Sequence, residues 1–168
     1  MTLKAHISRI LVSVGLLVLA GCAADPVYPP TWATSMAEPR QVATAPETAA
    51  DARVIWGGEI ISVENKADHT EVQVLGFPLD KNQIPRADDT GDGRFIAVLP
   101  GFVEPLDYPV GGWVTMQGHI QGVRNDRVGQ APYVFPLLKV HAAHVWSQQD
   151  MQQRSNVHFN LGVGIRIR

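Results

Sequence analysis

A single cysteine, Cys22, occurs in the whole chain, so no intramolecular disulfide can form and the fold must rest on its own apolar core. No apolar run reaches the roughly 20 residues that a transmembrane helix needs. Charge of one sign is equally scarce, with 14 basic against 16 acidic side chains. Without a basic stripe the chain is a poor partner for nucleic acid or anionic headgroups, and no nucleic acid is expected. Gly-x-Ser-x-Gly is missing, and there is no second cysteine for thiol chemistry.

What is present begins at the amino terminus. Lys4 and Arg9 precede an apolar run from Ile10 to Ala20, broken only by Ser13 and Gly15. The run is too short to span a bilayer and suits the central region of an export signal. It ends in Leu19-Ala20-Gly21-Cys22, the pattern of a bacterial lipobox. The small residues let a peptidase close on the backbone, and the thiol is a nucleophile suited to accept a lipid. Residues 1–21 are therefore expected to be a removed lipoprotein signal, with Cys22 the lipidated first residue of the mature chain, carrying diacylglycerol and an acyl group such as palmitate. Taking Lys4 and Arg9 from the 14 basic side chains leaves 12 against 16 acidic ones, a net of −4. Membrane attachment then falls to the acyl chains on Cys22, two or three of which make a stable anchor.

Residues 22–52 carry Pro26, Pro29, Pro30, Pro39 and Pro46 without apolar periodicity and read as a flexible tether. From 53 to 146 the segments read as strands: Val54–Trp56 with Glu59–Glu64, Thr70–Leu79, Arg94–Leu99, Trp113–Val123 and Tyr133–Trp146. Gly57-Gly58 predicts a bulge or sharp bend, and Gly118 and Gly122 predict further bends. Five strands with a longer connection after the third predict an all-β fold, a small five-stranded OB-like Greek-key barrel, with a β-sandwich as the competing architecture. Residues 147–168 are read as a linker and a C-terminal strand. Along Val157–Arg168, Val157, Phe159, Leu161, Val163, Ile165 and Ile167 share one face, which must pair with the domain's edge or with a partner.

Candidate chemical sites are thin. Asp88-Asp89-Thr90-Gly91-Asp92-Gly93 resembles the start of a calcium loop, but Thr90 and Leu99 stand where an EF-hand needs Asp or Asn and then Glu, and flanking helices are not expected, so a solvated acidic turn is the reading. His141 and His144 face opposite sides of a strand and cannot share a metal without a bulge. Glu104 and Asp107 are a carboxylate pair in a loop, which alone identifies no glycosidase. The reading is no catalytic residue, no metal and no cofactor. Trp56, Phe102, Tyr108, Trp113 and Tyr133 exceed what a small barrel must bury. Most of them are expected to be core or loop anchors; OB-type barrels bind polymers with such rings, so if there is a ligand groove it would be sought first at Tyr108 and Tyr133.

The ordered blocks Trp56-Gly57-Gly58-Glu59-Ile60, Val63-Glu64-Asn65, Phe77-Pro78-Leu79-Asp80, Gly93-Arg94-Phe95, Gly101-Phe102-Val103-Glu104-Pro105 with Tyr108, Val114 through Gly122, Tyr133 and Val145-Trp146 resemble the Slp family of Gram-negative outer-membrane lipoproteins, the starvation-inducible group. Val103-Glu104 departs mildly from the Leu-Asp more frequent there. The resemblance implies a periplasm-facing outer-membrane lipoprotein concerned with starvation or acid stress, and it brings no catalytic residues. Ala23, in place of Asp after the lipobox cysteine, fits outer-membrane sorting. The expected function is a non-enzymatic envelope component that binds or supports an envelope protein or cell-wall partner. The alternatives are a cell-envelope hydrolase and a carbohydrate- or peptide-binding module.

Overall fold

The computed structural model describes residues 25–155; the segment read as an export signal, Cys22 and the segment of alternating residues from 157 lie outside the described residues. Strands β1 (Arg53–Asn65), β2 (His69–Phe77), β3 (Gly93–Pro100), β4 (Trp113–Val128) and β5 (Ala131–Trp146) close a barrel in the order β1-β2-β3-β5-β4. The all-β, five-stranded expectation is thus met, and the sheet closes into a barrel and not a sandwich. Period-two alternation makes each strand two-faced. Val72 and Val74 of β2, Phe95, Ala97 and Leu99 of β3, and Val114, Met116 and Ile120 of β4 turn into one core with Ile60 and Leu138. All neighbours pair antiparallel except β3 and β5, which meet in parallel over Ile96–Val98 and Leu137–Lys139. Pro136 is tolerated because that pairing starts one residue after it.

The predicted bend in β1 is real but differently built. Residues 57–59 pair with β2 on one side and β4 on the other, and the backbones crowd there. A Cβ on Gly58 would lie 1.9 Å from the Leu75 carbonyl oxygen, so only glycine fits. The bulge itself falls between Ile60 and Ser62.

Two stretches read as linkers are ordered structure. The proline-rich segment upstream of β1 does not hang free: it forms a 3-10 turn at Pro30–Trp32, helix α1 (Pro39–Thr44) and a second 3-10 turn at Pro46–Ala49. Val42 and Ala49 are buried in the barrel's core cluster, and α1 packs on β3 and β5. Apolar periodicity failed to reveal this because α1 is under two turns long and buries only Pro39 and Val42. The second is α2 (Gln148–Ser155), whose start is capped by Ser147: its hydroxyl donates to Asp150 Oδ2 at 2.6 Å and accepts from Asp150 N at 3.2 Å.

Candidate functional site

Where the N-terminal segment crosses the barrel wall it leaves a groove of about 340 Å³. Trp56, Gly57, Phe77, Pro78 and Leu79 form its barrel side. Met36, Ala37, Glu38 and Pro39 form the opposite side. Three clasps fix the segment. The Trp56 indole N–H donates to the Ala37 carbonyl at 2.8 Å while its ring packs on Phe95 at 5.1 Å. Tyr28 N donates to Gln83 Oε1 and Gln83 Nε2 donates back to Tyr28 O, both at 2.8 Å. The Thr115 hydroxyl donates to Gln83 O at 2.7 Å, locking that loop onto β4. Burial of Tyr28, together with the nearby Tyr108 hydroxyl, pushes its phenol up to about 12.

The groove's lining is mostly apolar, with Glu38, Asp80, Lys81 and Asp92 as its charged residues. Burial raises the Asp92 carboxyl above its ordinary range, Glu38 and Asp89 add to the rise, and Arg40 opposes it. Arg40 is itself held by Gly91 O, 2.5 Å from its Nη2, and its backbone N–H donates to Asp92 O at 2.8 Å. A cationic group entering beside Asp92 would relieve a half-buried carboxylate whose charged form burial disfavours.

The residues singled out from sequence are placed differently. Tyr108 sits in the loop between β3 and β4, packed partly on the core, with its phenol raised by burial and by Asp107. Tyr133 starts β5, where its hydroxyl accepts from Arg94 N at 2.7 Å and its ring packs on Phe135. Neither lines the groove. In the acidic turn, Asp89 Oδ2 pairs with Arg86 Nε at 2.7 Å. His141 and His144 part company: His144 packs on the Trp146 ring at 4.3 Å. His141 is the extra residue of a bulge between the pairs Gln117–Ala142 and Gly118–Val140, and its Nε2 meets His119 Nδ1 at 2.7 Å. Trp32 covers both rings edge-on, with Arg53 5.5 Å from its centroid. Sequence spacing could not show this pair, because it depends on cross-strand register.

One further polar cluster invites a catalytic reading. His69 lies between Asp68 Oδ1, 2.7 Å from Nδ1, and Glu71 Oε1, 3.5 Å from Nε2, and Glu71 forms a bidentate pair with Arg124 at 2.8 and 3.0 Å. Both ring nitrogens face carboxylates, so neither is placed to take a proton from a hydroxyl. The neighbouring Thr70 is buried, its hydroxyl donating to Gly101 O and accepting from Val103 N.

The sequence pattern of the outer membrane lipoprotein Slp family matches residues 19–162. The chain belongs to the Slp family. It is an outer-membrane lipoprotein, held there by a lipid anchor. Among its relatives, an uncharacterized lipoprotein of Escherichia coli K12, YeaY, is 29% identical over 147 residues, spanning 85% of this chain and 74% of that protein. The outer membrane protein Slp of the same organism is 28% identical over 109 residues, spanning 65% of this chain and 57% of that one. A small single-stranded DNA-binding protein from Streptomyces coelicolor covers 56% of this chain and 93% of its own, at 16% identity and a TM-score of 0.31, a likeness that carries no argument. Two blocks that carry the Slp resemblance, Trp56-Gly57 and Phe77-Pro78-Leu79-Asp80, form the barrel wall of the groove.

Proposed function

We propose that this Slp-family chain is a non-enzymatic envelope component, acylated at Cys22 and facing the periplasm, that binds an apolar segment ending in an amine in the groove beneath its N-terminal segment. Its occasion is starvation or envelope stress, as the family resemblance implies. The observation that carries the binding reading is the groove: its volume falls in the range of ligand sites, its lining is mostly apolar, and its carboxylates Glu38, Asp80 and Asp92 outnumber its one cation, Lys81. A short peptide with a free amino terminus has the matching chemistry, which makes the peptide-binding alternative part of this reading and leaves the hydrolase without a specific observation.

The test uses an apolar tripeptide amide with a free amine and its N-acetylated form. The Trp56 indole N–H, bonded to Ala37 O beside the groove, is the nuclear magnetic resonance reporter. The free amine is expected to shift that resonance and to bind roughly tenfold more tightly than the acetylated form, the worth of one charge-assisted hydrogen bond. Asp92→Asn should narrow the gap. Equal binding of both peptides, or shifts confined to other indoles, would reject the reading. For the anchor, Cys22→Ser is expected to leave an uncleaved precursor without palmitate that no longer fractionates with the outer membrane; normal labelling of that variant would reject acylation at Cys22.

A further inference from the structure

Four large apolar side chains stand strongly exposed among the described residues, and three of them occupy one loop. Phe102 is 70% exposed, Leu106 85% and Val110 68%, all between β3 and β4. Such clustering on a small domain marks a contact surface more often than chance scatter. The loop is not slack. At its start Val103 N donates to Asn65 Oδ1 at 3.1 Å, Asn65 Nδ2 returns to Val103 O at 3.0 Å, and Thr70 Oγ1 donates to Gly101 O at 2.8 Å. At its end Gly111 N donates to Ile60 O and Gly112 N to Pro109 O, both at 2.8 Å. A 3-10 turn, Pro105–Asp107, lies between them. Val103 and Tyr108 pack inward on the core, while Phe102, Leu106 and Val110 stay outside.

The course of the chain says what faces this surface. Thr115, near the start of β4, follows directly on the loop, and its carbonyl accepts from the Tyr28 hydroxyl at 3.4 Å. Tyr28 also lies near enough to Tyr108 for one phenol to influence the other. The N-terminal segment therefore joins the barrel at the loop's end and only then runs to α1, which packs beside the starts of β3 and β5. Cys22 stands six positions before Tyr28, a reach of at most about 20 Å. The turn between β4 and β5 lies at the opposite end of β4 from the loop, after a strand of 16 residues.

The geometry points to the loop 101–112 as a membrane-facing surface, with Phe102, Leu106 and Val110 set into the lipid interface of the leaflet that holds the acyl chains. The inference rests on the proposal that Cys22 is the acylated residue. The loop carries Glu104 and Asp107 and neither lysine nor arginine, so the contact is apolar and owes nothing to anionic headgroups. The acyl chains retain the protein; the loop sets which way the barrel faces.

Acylation leaves Cys22 without a free thiol, so one introduced cysteine can be labelled uniquely in the full lipidated chain. Leu106→Cys and, at the far turn, Gln130→Cys each receive an environment-sensitive nitrobenzoxadiazole group; both sites are exposed, and neither change removes core packing. The chains are reconstituted into phosphatidylethanolamine–phosphatidylcholine vesicles, with and without phospholipids brominated on their acyl chains. The expected result is blue-shifted emission and at least twofold quenching by brominated lipid at position 106, none at 130, and no change with added salt or phosphatidylglycerol. Absence of quenching at 106 in a chain whose mass shows the acyl groups overturns the loop assignment alone. Equal quenching at both positions overturns it as well, because the barrel then has no preferred face. A mass without acyl groups on Cys22, with two labels bound, overturns the anchor reading and the loop assignment with it.

Discussion

Gly58 is where three strands' backbones come closest, and it shows how one missing methyl group permits the barrel. β1 leaves β4 and joins β2 over residues 57–59, so any side chain at 58 must displace the Leu75 carbonyl and not a yielding side-chain tip. Gly58→Ala is expected to cost about 3 kcal/mol, the upper range for overpacking a well-filled site, read as a lowered urea midpoint at unchanged slope. Tyr28 governs a different sensitivity. Its phenol is raised from the ordinary 10 to about 12, so the folded state favours the protonated ring. A group raised on folding stabilises fully below its unfolded pKa and loses that contribution as pH rises through the folded one. The stability of the native chain should therefore fall between pH 10 and 12 by a component that Tyr28→Phe lacks. Identical alkaline profiles for the two proteins would contradict the burial of this ring. Gln83 adds to the same clasp: it holds a left-handed φ of 65° while buried, a strain offset by its paired bonds to the Tyr28 backbone.

Among the elements, the segment upstream of β1 distinguishes a tethered barrel from a barrel with its own cover. Val42 of α1 is fully buried with barrel residues, so Val42→Ala should cost about 2 kcal/mol of global stability through the lost methyl groups and the space they leave. A free tether would show no change in the unfolding midpoint. The strands were legible because β-branched residues alternate with polar ones over Thr70–Val74 and Val114–Ile120, a pattern that local chemistry writes directly. The barrel's closure was legible in the strand count and in the glycines near its bends. The cover was not: its helix start is marked by Glu38, Pro39 and Gln41, where the Gln41 side chain accepts from Glu38 N at 3.1 Å, but six helical residues are too few to show a period. The groove was hidden for the same reason, since half of it is the cover. Tyr108 and Tyr133 stood out as aromatic, yet their surroundings depend on partners distant in sequence, Tyr28 for the first and Arg94 for the second, that spacing does not encode. The His119–His141 pair needed a bulge to form, and bulges leave little trace in a strand of mixed polarity.

At the scale of the whole molecule, the question is what the alternating segment from Val157 does. It lies outside the described residues, but the described ones bear on it. The barrel is already closed through β4 and β5, so it offers no full open edge at which another strand must be added. The family match ends at residue 162, part-way along the alternation, so the last apolar positions, Val163, Ile165 and Ile167, lie beyond the shared pattern. Yet six apolar side chains on one face, each worth about 1.5–3 kcal/mol when fully buried, are a strong incentive to find a covering surface. An alternating apolar segment that the barrel does not require, but that water disfavours, is suited to pair with another chain. Truncation after Ser155 is therefore expected to leave the urea midpoint of the full lipidated protein within about 0.5 kcal/mol of its original stability. The same truncation should abolish whatever association sedimentation detects in the untruncated chain. If the shortened protein instead loses 2 kcal/mol or more, the segment completes its own domain, packing over the short parallel seam between β3 and β5, where only three residue pairs hold the barrel shut.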